Sequence, residues 1–418
     1  MGNYGRYIGQ LVKAVGLVFM KLPEAPWHQR QSLKDLIAVL DGHRGATRFV
    51  GGAVRDTLLS IPAKDIDLAT ILKPDMVMAR LKDANISAVP TGIEHGTVTA
   101  VTEDGPVEIT TLRRDVSTDG RRATVAFSDD WKEDAARRDF TINALFADPE
   151  TLEIYDYFGG LTDLENRHIR FIGSAEQRIA EDHLRIMRYF RFLARFGQHD
   201  VDQETFDACR KAARELSKLS RERVADELIK LLSAADPVYA VQEMIEADVF
   251  ANIVAEIDPE AGPLLATLVL REEAHDIAPD PMRRLVGLLP KDPDKTAQIV
   301  TSLRCSKKLR RAVADRLTAL KPALSDIQAI AYHHGVDAAQ DIMLLFAADD
   351  ELGTSLAKLK DWSKPVFPIT GGDLIEMGLM PGPIVAKSLK AIETAWIAEH
   401  FPDEDRVRAL AHDIIKSS

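Results

Sequence analysis

The sequence predicts an α+β fold, a small mixed α/β head followed by an elongated, all-helical remainder. Short β-type runs interleaved with a helical stretch end near residue 155. After Gly159-Gly160, nearly every segment carries apolar residues at helical spacing. Loops at Asp236-Pro237, 279–281, 290–293 and 365–372 divide this helical run, and no fixed-period repeat accompanies it.

Residues 1–25 read as a loose N-terminal extension. The apolar stretch 11–20 is interrupted by Lys13, falls short of the roughly 20 residues a span requires, and lacks a small-residue cleavage site. No membrane association is expected, and the cytoplasm is the expected compartment. Met20 would be a plausible alternative start. Leu33, Leu36, Ile37, Val39 and Leu40 then recur at helical spacing, closed by Asp41-Gly42. Strands are expected at 47–50, 66–69, 97–101 and 107–112, with a helix over 75–82, completing a head over 26–155.

The 418 residues include 65 acidic and 53 basic side chains, a formal charge of −12. This excludes a uniformly basic nucleic-acid sleeve, but an acidic protein can still focus positive potential in one cleft. Hydrophobic residues at 46% and charged residues at 28% exclude disordered and collagen-like classes. Cys209 and Cys305 are the two cysteines and stand outside any CxxC or Cys/His pattern, which argues against a disulfide framework or structural zinc.

The chemistry concentrates in Gly51-Gly52-Ala53-Val54-Arg55-Asp56 and Asp65-Ile66-Asp67. Residues two apart in a strand share a face, so Asp65 and Asp67 project together while Ile66 and Leu68 face the core. Two adjacent carboxylates repel, and a divalent cation relieves the repulsion; hard oxygen ligands with open positions suit Mg2+ shared with a triphosphate. Gly51-Gly52 lets a phosphate approach backbone N–H groups, and Arg55 can add a charge-assisted clamp. Alone, a Gly-Gly turn or a solvated Asp-x-Asp carries no chemistry; the combination points to a nucleoside triphosphate site. Glu108, on the alternating run 107–112, is either a third acidic metal ligand or an exposed strand residue.

With these motifs upstream, Arg137-Arg138-Asp139-Phe140-Thr141-Ile142-Asn143-Ala144 resembles the RRDFTINA motif of the class II tRNA nucleotidyltransferase and bacterial poly(A) polymerase family. Glu181-Asp182-His183-Leu184-Arg185 resembles the family's EDxxR element, and Ser220-Arg221-Glu222-Arg223-Val224, with Glu227-Leu228, its SxERI…EL segment. Ordered motifs cover about 30–250, with a weaker likeness at 368–374. The resemblance implies a nucleotidyltransferase head, a base-recognising neck over 156–235, and a tRNA-binding body and tail over 236–418. It also implies Gly52, Arg55 and Arg138 as triphosphate contacts, with Arg188 and Arg191 extending the nucleotide surface. Asp139 and Asn143 would organise the site, for example by capping the following helix.

On a continuous helix Asp182 and Arg185 are neighbours, with Arg188 and Arg191 at the same interval. Cytosine and adenine each place an amino donor beside a ring-nitrogen acceptor. A carboxylate next to a guanidinium complements that edge, admitting CTP and ATP and rejecting UTP and GTP without a template. An isolated salt bridge on a solvated face is the competing reading. The segment 113–122 resembles the family's flexible loop, which enzymes adding only two cytidines tend to lack, so its presence implies adenosine addition; a plain hairpin tip is the alternative.

The expected reaction is addition of C, C and A to a tRNA 3′ end from CTP and ATP, with pyrophosphate released and Asp65 and Asp67 as catalytic metal ligands. A poly(A) polymerase, an A-adding enzyme and a catalytically silent RNA-binding protein are the alternatives. For RNA backbone contact the body offers Arg304, Lys307, Lys308, Arg310 and Arg311, continued by Arg316 and Lys321, against the single acid Asp315. A solvated helix face would look the same. His333-His334 has no carboxylate at metal-ligand spacing and is expected to be structural or at the surface.

Overall fold

The computed structural model describes residues 20–119, 122–198, 201–318 and 326–416. Two compact units result, Met1–Ile253 and Val254–Ser418. Unit 1 is built on a seven-stranded mixed sheet of order β3-β4-β5-β2-β1-β8-β9. Its strands are β1 (Thr47–Val50), β2 (Ile66–Thr70), β3 (Ser87–Gly92), β4 (Thr97–Thr102), β5 (Gly105–Thr111), β8 (Leu145–Ala147) and β9 (Ile154–Asp156). A separate hairpin pairs β6 (Arg113–Asp119) with β7 (Arg122–Phe127).

The alternating runs at 47–50, 66–69, 97–101 and 107–112 appear as β1, β2, β4 and β5. Val98, Ala100, Val107 and Ile109 are buried, whereas Thr97, Thr99, Glu108 and Thr110 face outward, as period-two patterning requires. The helix Pro74–Asp83 packs on β3 and β4 through Val77 and Leu81. β3 was not among the expected strands, and it contains Pro90 and Gly92; at a sheet edge a proline omits no ladder bond the strand needs. β8 and β9 have three residues each and are defined by partners rather than by a local pattern.

Residues 1–19 of the expected extension lie outside the described residues. From Met20 onward the chain is tied to the head, which corrects the expectation of a loose segment for residues 20–25. The Leu22 N–H donates to the Leu152 carbonyl at 2.7 Å, the Ile154 N–H donates to Met20 at 2.9 Å, and Leu22 is buried. Trp27 follows, packed edge-on against Phe49 with its indole N–H donating to Thr57 Oγ1 at 2.9 Å.

Beyond the sheet, unit 1 continues as helices. The Leu184–Phe196 helix buries eight side chains, including Met187, Tyr189, Phe190 and Phe192, and packs against the Arg221–Leu232 and Val238–Glu246 helices. A stack of Phe171 on Phe140 (4.5 Å) with Phe192 edge-on to Phe140 (5.1 Å) joins the RRDF segment to this helix.

Unit 2 is helical among its described residues and carries a buried ion network. Arg283 donates to Glu272 and Asp341, both at 2.6 Å; Arg284 pairs with Glu272 at 2.7 Å, and Arg316 donates through Nε to Asp341 at 2.6 Å. Near the C-terminus Tyr332, Ile369, Leu374, Ile392, Trp396 and Val407 form a separate core cluster.

Candidate nucleotide-binding and catalytic site

Asp67 lies on β2 between buried Ile66 and Leu68, so its carboxylate faces the outer side of the sheet; Asp65 immediately precedes the strand and is exposed. Glu108 is the β5 register partner of Asp67 and shares that face. Burial pushes the Asp67 carboxyl up to about 6, assisted by Glu108 and Asp65 and opposed by Arg138. A carboxylate disfavoured by its own neighbours suits a divalent cation, and the donors are hard oxygens. Among the described residues no group of three or more His, Cys, Asp or Glu side chains converges as a metal site. Glu108 therefore shares the face without closing a three-carboxylate cluster.

Gly51 ends β1 with φ +68, a conformation that favours glycine, and its N–H donates to the Leu145 carbonyl at 3.0 Å. A Cβ there would point to Arg138 Nη1 at 3.6 Å and the Asn143 carbonyl at 3.5 Å, so the glycine turn opens beside the RRDFTIN segment. Gly52 starts the Gly52–Leu58 helix, and Arg55, three residues on, is only 5% exposed. Arg55 donates to Asp56 Oδ1 at 2.8 and 2.6 Å and to Asn143 Oδ1, with its guanidinium over Phe196. The sequence-predicted clamp is thus held in the wall behind Gly52.

Asp134 had escaped sequence reading. Its side chain is 1% exposed and pairs with Arg137 (2.7 Å) and Arg138 (3.0 Å). Burial alone would raise this carboxyl, but the two guanidiniums hold it below the ordinary carboxylate range. The available signal was spacing, since Arg137 and Arg138 follow Asp134 at three and four residues.

Asp139 binds Arg188 Nε at 2.7 Å and a second guanidinium nitrogen, while accepting from Asn143 Nδ2 (3.1 Å) and the Phe140 N–H (2.9 Å). The expectation that it caps a following helix is corrected: a short 3-10 turn follows, capped by no side chain, and the carboxylate instead bridges to the Leu184–Phe196 helix. Burial would raise its pKa, yet Arg188 and these hydrogen bonds hold it lowered. Arg191 pairs with Glu227 at 2.6 Å, and Arg195 with Asp56 at 3.0 Å.

The expected continuous helix through Asp182 and Arg185 is also corrected. Ala175–Glu181 ends at Glu181, Asp182 is extended with φ −153, and a new helix starts at Leu184. Asp182 accepts from the Leu184 N–H at 3.0 Å and from Arg223 at 2.8 Å, whereas Arg185 donates through Nη1 to Glu181 (2.5 Å) and the Arg178 carbonyl (2.8 Å). The break places carboxylate and guanidinium at a helix start, each oriented by a partner of its own. Glu181, Arg178 and Arg223 are thus the partners that orient this candidate pair; Glu181 and Arg223 stood inside the quoted motifs without a role.

In unit 2, Arg304, Lys307, Lys308 and Arg311 are exposed and Arg310 is half-buried. With Lys307 and Arg311, Arg310 lines a groove of about 350 Å³ beside Ala297, Thr301 and Val313. Arg316 is corrected from surface cation to core residue, 8% exposed and bound to Asp341, while Lys321 lies outside the described residues.

Residues 47–170 match the family described as Poly A polymerase head domain, and residues 200–260 the one described as Probable RNA and SrmB- binding site of polymerase A. Together with the Asp-x-Asp strand and its glycine turn, this makes the chain a nucleotidyltransferase. It is 33% identical to a mouse protein named CCA tRNA nucleotidyltransferase 1, mitochondrial, over 91% of this chain and 90% of that one, and 33% identical to a CCA-adding enzyme of Lactiplantibacillus plantarum over 90% and 93%. A Bacillus stearothermophilus CCA-adding enzyme solved with CTP superposes with TM-score 0.71 at 26% identity, covering 93% of this chain and 98% of that one. A Thermotoga maritima CCA-adding enzyme solved with tRNA shares the fold at TM-score 0.68 and 21% identity, over 96% and 100%. The chain belongs to the class II tRNA nucleotidyltransferase and bacterial poly(A) polymerase family.

Proposed function

We propose that the chain is a CCA tRNA nucleotidyltransferase, adding C, C and A to tRNA 3′ ends from CTP and ATP. The observation that carries the reading is the outward-facing Asp65–Asp67 pair beside Arg138 and the Gly51-Gly52 turn. The likeness to CCA-adding enzymes over nine-tenths of both chains supports it beyond the head. In this reading Asp65 and Asp67 hold Mg2+, which when bound neutralises triphosphate charge and lowers the pKa of the attacking hydroxyl.

The rest falls to the chain's own side chains. Gly51-Gly52 admits the triphosphate to backbone, and Arg138, positioned by Asp134, opposes its charge. Asp182 accepts from the amino group of cytosine or adenine and Arg185 donates to the ring nitrogen; Arg223 and Glu181 hold that edge in place. Arg55, Arg188 and Arg191 act from the wall, held by Asp56, Asp139 and Glu227. The RNA 3′-oxygen bonds to the α-phosphorus, the bond to the β-phosphate oxygen breaks, and pyrophosphate leaves.

Lys307, Lys308, Arg310, Arg311 and Arg304 would meet the tRNA backbone. Both cysteines are buried thiols, which accords with a reducing compartment such as the cytoplasm. No helix among the described residues is long and apolar enough to cross a membrane.

The test is extension of tRNA transcripts lacking the terminal triplet, ending in C, or ending in CC, with Mg2+, CTP and ATP, resolved to one nucleotide. Termination at CCA on all three is expected. Long adenosine tails would assign poly(A) synthesis, addition only to the CC-ended transcript would assign A addition, and no extension would refute catalysis.

A further inference from the structure

The strand register draws a line across the head sheet. Asp67 on β2 pairs with Glu108 on β5, Glu108 with Thr99 on β4, and Thr99 with Val89 on the edge strand β3. Paired residues on adjacent strands share a face, so the sheet extends from the catalytic aspartate outward over three more strands. Val89 and Val101 on this face are each 49% exposed, while the opposite face is packed under Pro74–Asp83. Threonine hydroxyls run between them: Thr97 pairs with Thr110 at 3.2 Å and Thr99 with Thr91 at 2.8 Å.

The chemistry gives this face a direction. Gly51 and Arg138 lie on the β1 flank of β2, which sets the triphosphate there. In phosphoryl transfer the attacking and leaving oxygens lie roughly in line, so with pyrophosphate leaving on the β1 flank the attacking hydroxyl enters from the β5 flank. We propose that the open face of β5, β4 and β3 is the platform on which the last nucleotides of the RNA primer lie. Val89 and Val101 pack against ribose and base, and Thr97, Thr99 and Thr110 hydrogen-bond the sugar–phosphate backbone. The proposal rests on the nucleotide site assigned above.

A further observation fits this occupant. Apart from Glu108, the row offers methyl groups and hydroxyls rather than amide or guanidinium edges. Such a surface holds a strand without reading its bases. This is what an enzyme requires when the 3′-terminal base changes after each addition.

The test uses the full-length enzyme, whose Cys209 and Cys305 are both buried. V89C and V101C are each incubated with tRNA carrying a pyridyl-disulfide tether on its last base, with K82C on the covering helix, where Lys82 is exposed, as the control. Cross-linking at 89 and 101 at least tenfold above that at 82 is expected. In addition, V89D and V101D should each raise the KM for tRNA about tenfold, with CTP and ATP dissociation constants, measured without RNA, unchanged. Cross-linking at 82 equal to that at 89 and 101, or an unaltered tRNA KM in both aspartate variants, overturns the platform. If it falls while R138A still weakens CTP and ATP binding, the nucleotide site stands; if R138A leaves that binding intact, the nucleotide-site assignment itself is wrong.

Discussion

Asp134→Ala removes the carboxylate that pairs with both Arg137 and Arg138, whose side chains are 14% and 18% exposed against 1% for Asp134. Removing one partner of a buried pair costs about 3–5 kcal/mol because the other charge stays buried. Two guanidiniums are orphaned here, but both retain some access to water, so about 3 kcal/mol is expected, at the lower end. Native-state hydrogen exchange of the amides in 131–143 reports this local opening without requiring that the two units unfold together. The Asp134 carboxyl titrates below its unfolded value: burial raises it, and Arg138 and Arg137 more than offset that. Its contribution is therefore complete above the unfolded pKa of about 3.9 and fades as pH falls through the lower folded value. The deficit of D134A should be constant from neutral pH to about pH 5 and shrink below about pH 4. An opening free energy within about 0.5 kcal/mol of the wild type at neutral pH, the range of ordinary surface substitutions, would refute the role given to Asp134.

Asp65→Ala should abolish nucleotide addition while leaving circular dichroism and thermal midpoint unchanged, because Asp65 is exposed and precedes its strand; near-normal turnover would remove it from the mechanism. Glu181→Ala frees Arg185 from its 2.5 Å partner, so UTP and GTP misincorporation should rise several-fold, as in Arg185→Ala; unchanged selectivity in both would sink the base-edge assignment. Lys307→Ala with Lys308→Ala should weaken tRNA binding and lower the slope of log K against log salt by about 2, at roughly 0.9 per phosphate contact, with CTP and ATP dissociation constants unchanged; an unaltered salt slope would exclude these lysines from the RNA surface.

Much of the head was legible because its signals are local. Alternation of two in 66–69 and 107–112 places Asp67 and Glu108 outward and Leu68 and Ile109 inward, and no tertiary contact is needed to see it. The Gly51-Gly52 turn and RRDFTIN are equally local. Arginines were harder to read, since one of this type looks the same in sequence whether it faces a ligand or a buried acid. Arg188 finds Asp139 forty-nine residues away, and Arg316 finds Asp341 twenty-five residues away.

By itself the sequence determined the α+β order, the strand that carries the carboxylate pair, the glycine turn and the family. Those follow from side-chain period, backbone freedom and motif order along one stretch of chain. Only the tertiary structure decided where the Glu181–Leu184 boundary breaks the helix, that β3 adds an edge to the sheet, and which guanidiniums stand in walls behind the site. These outcomes depend on pairing across distant segments, where a charge interacts strongly with whatever group folding brings within a few ångströms, and no local pattern encodes that distance.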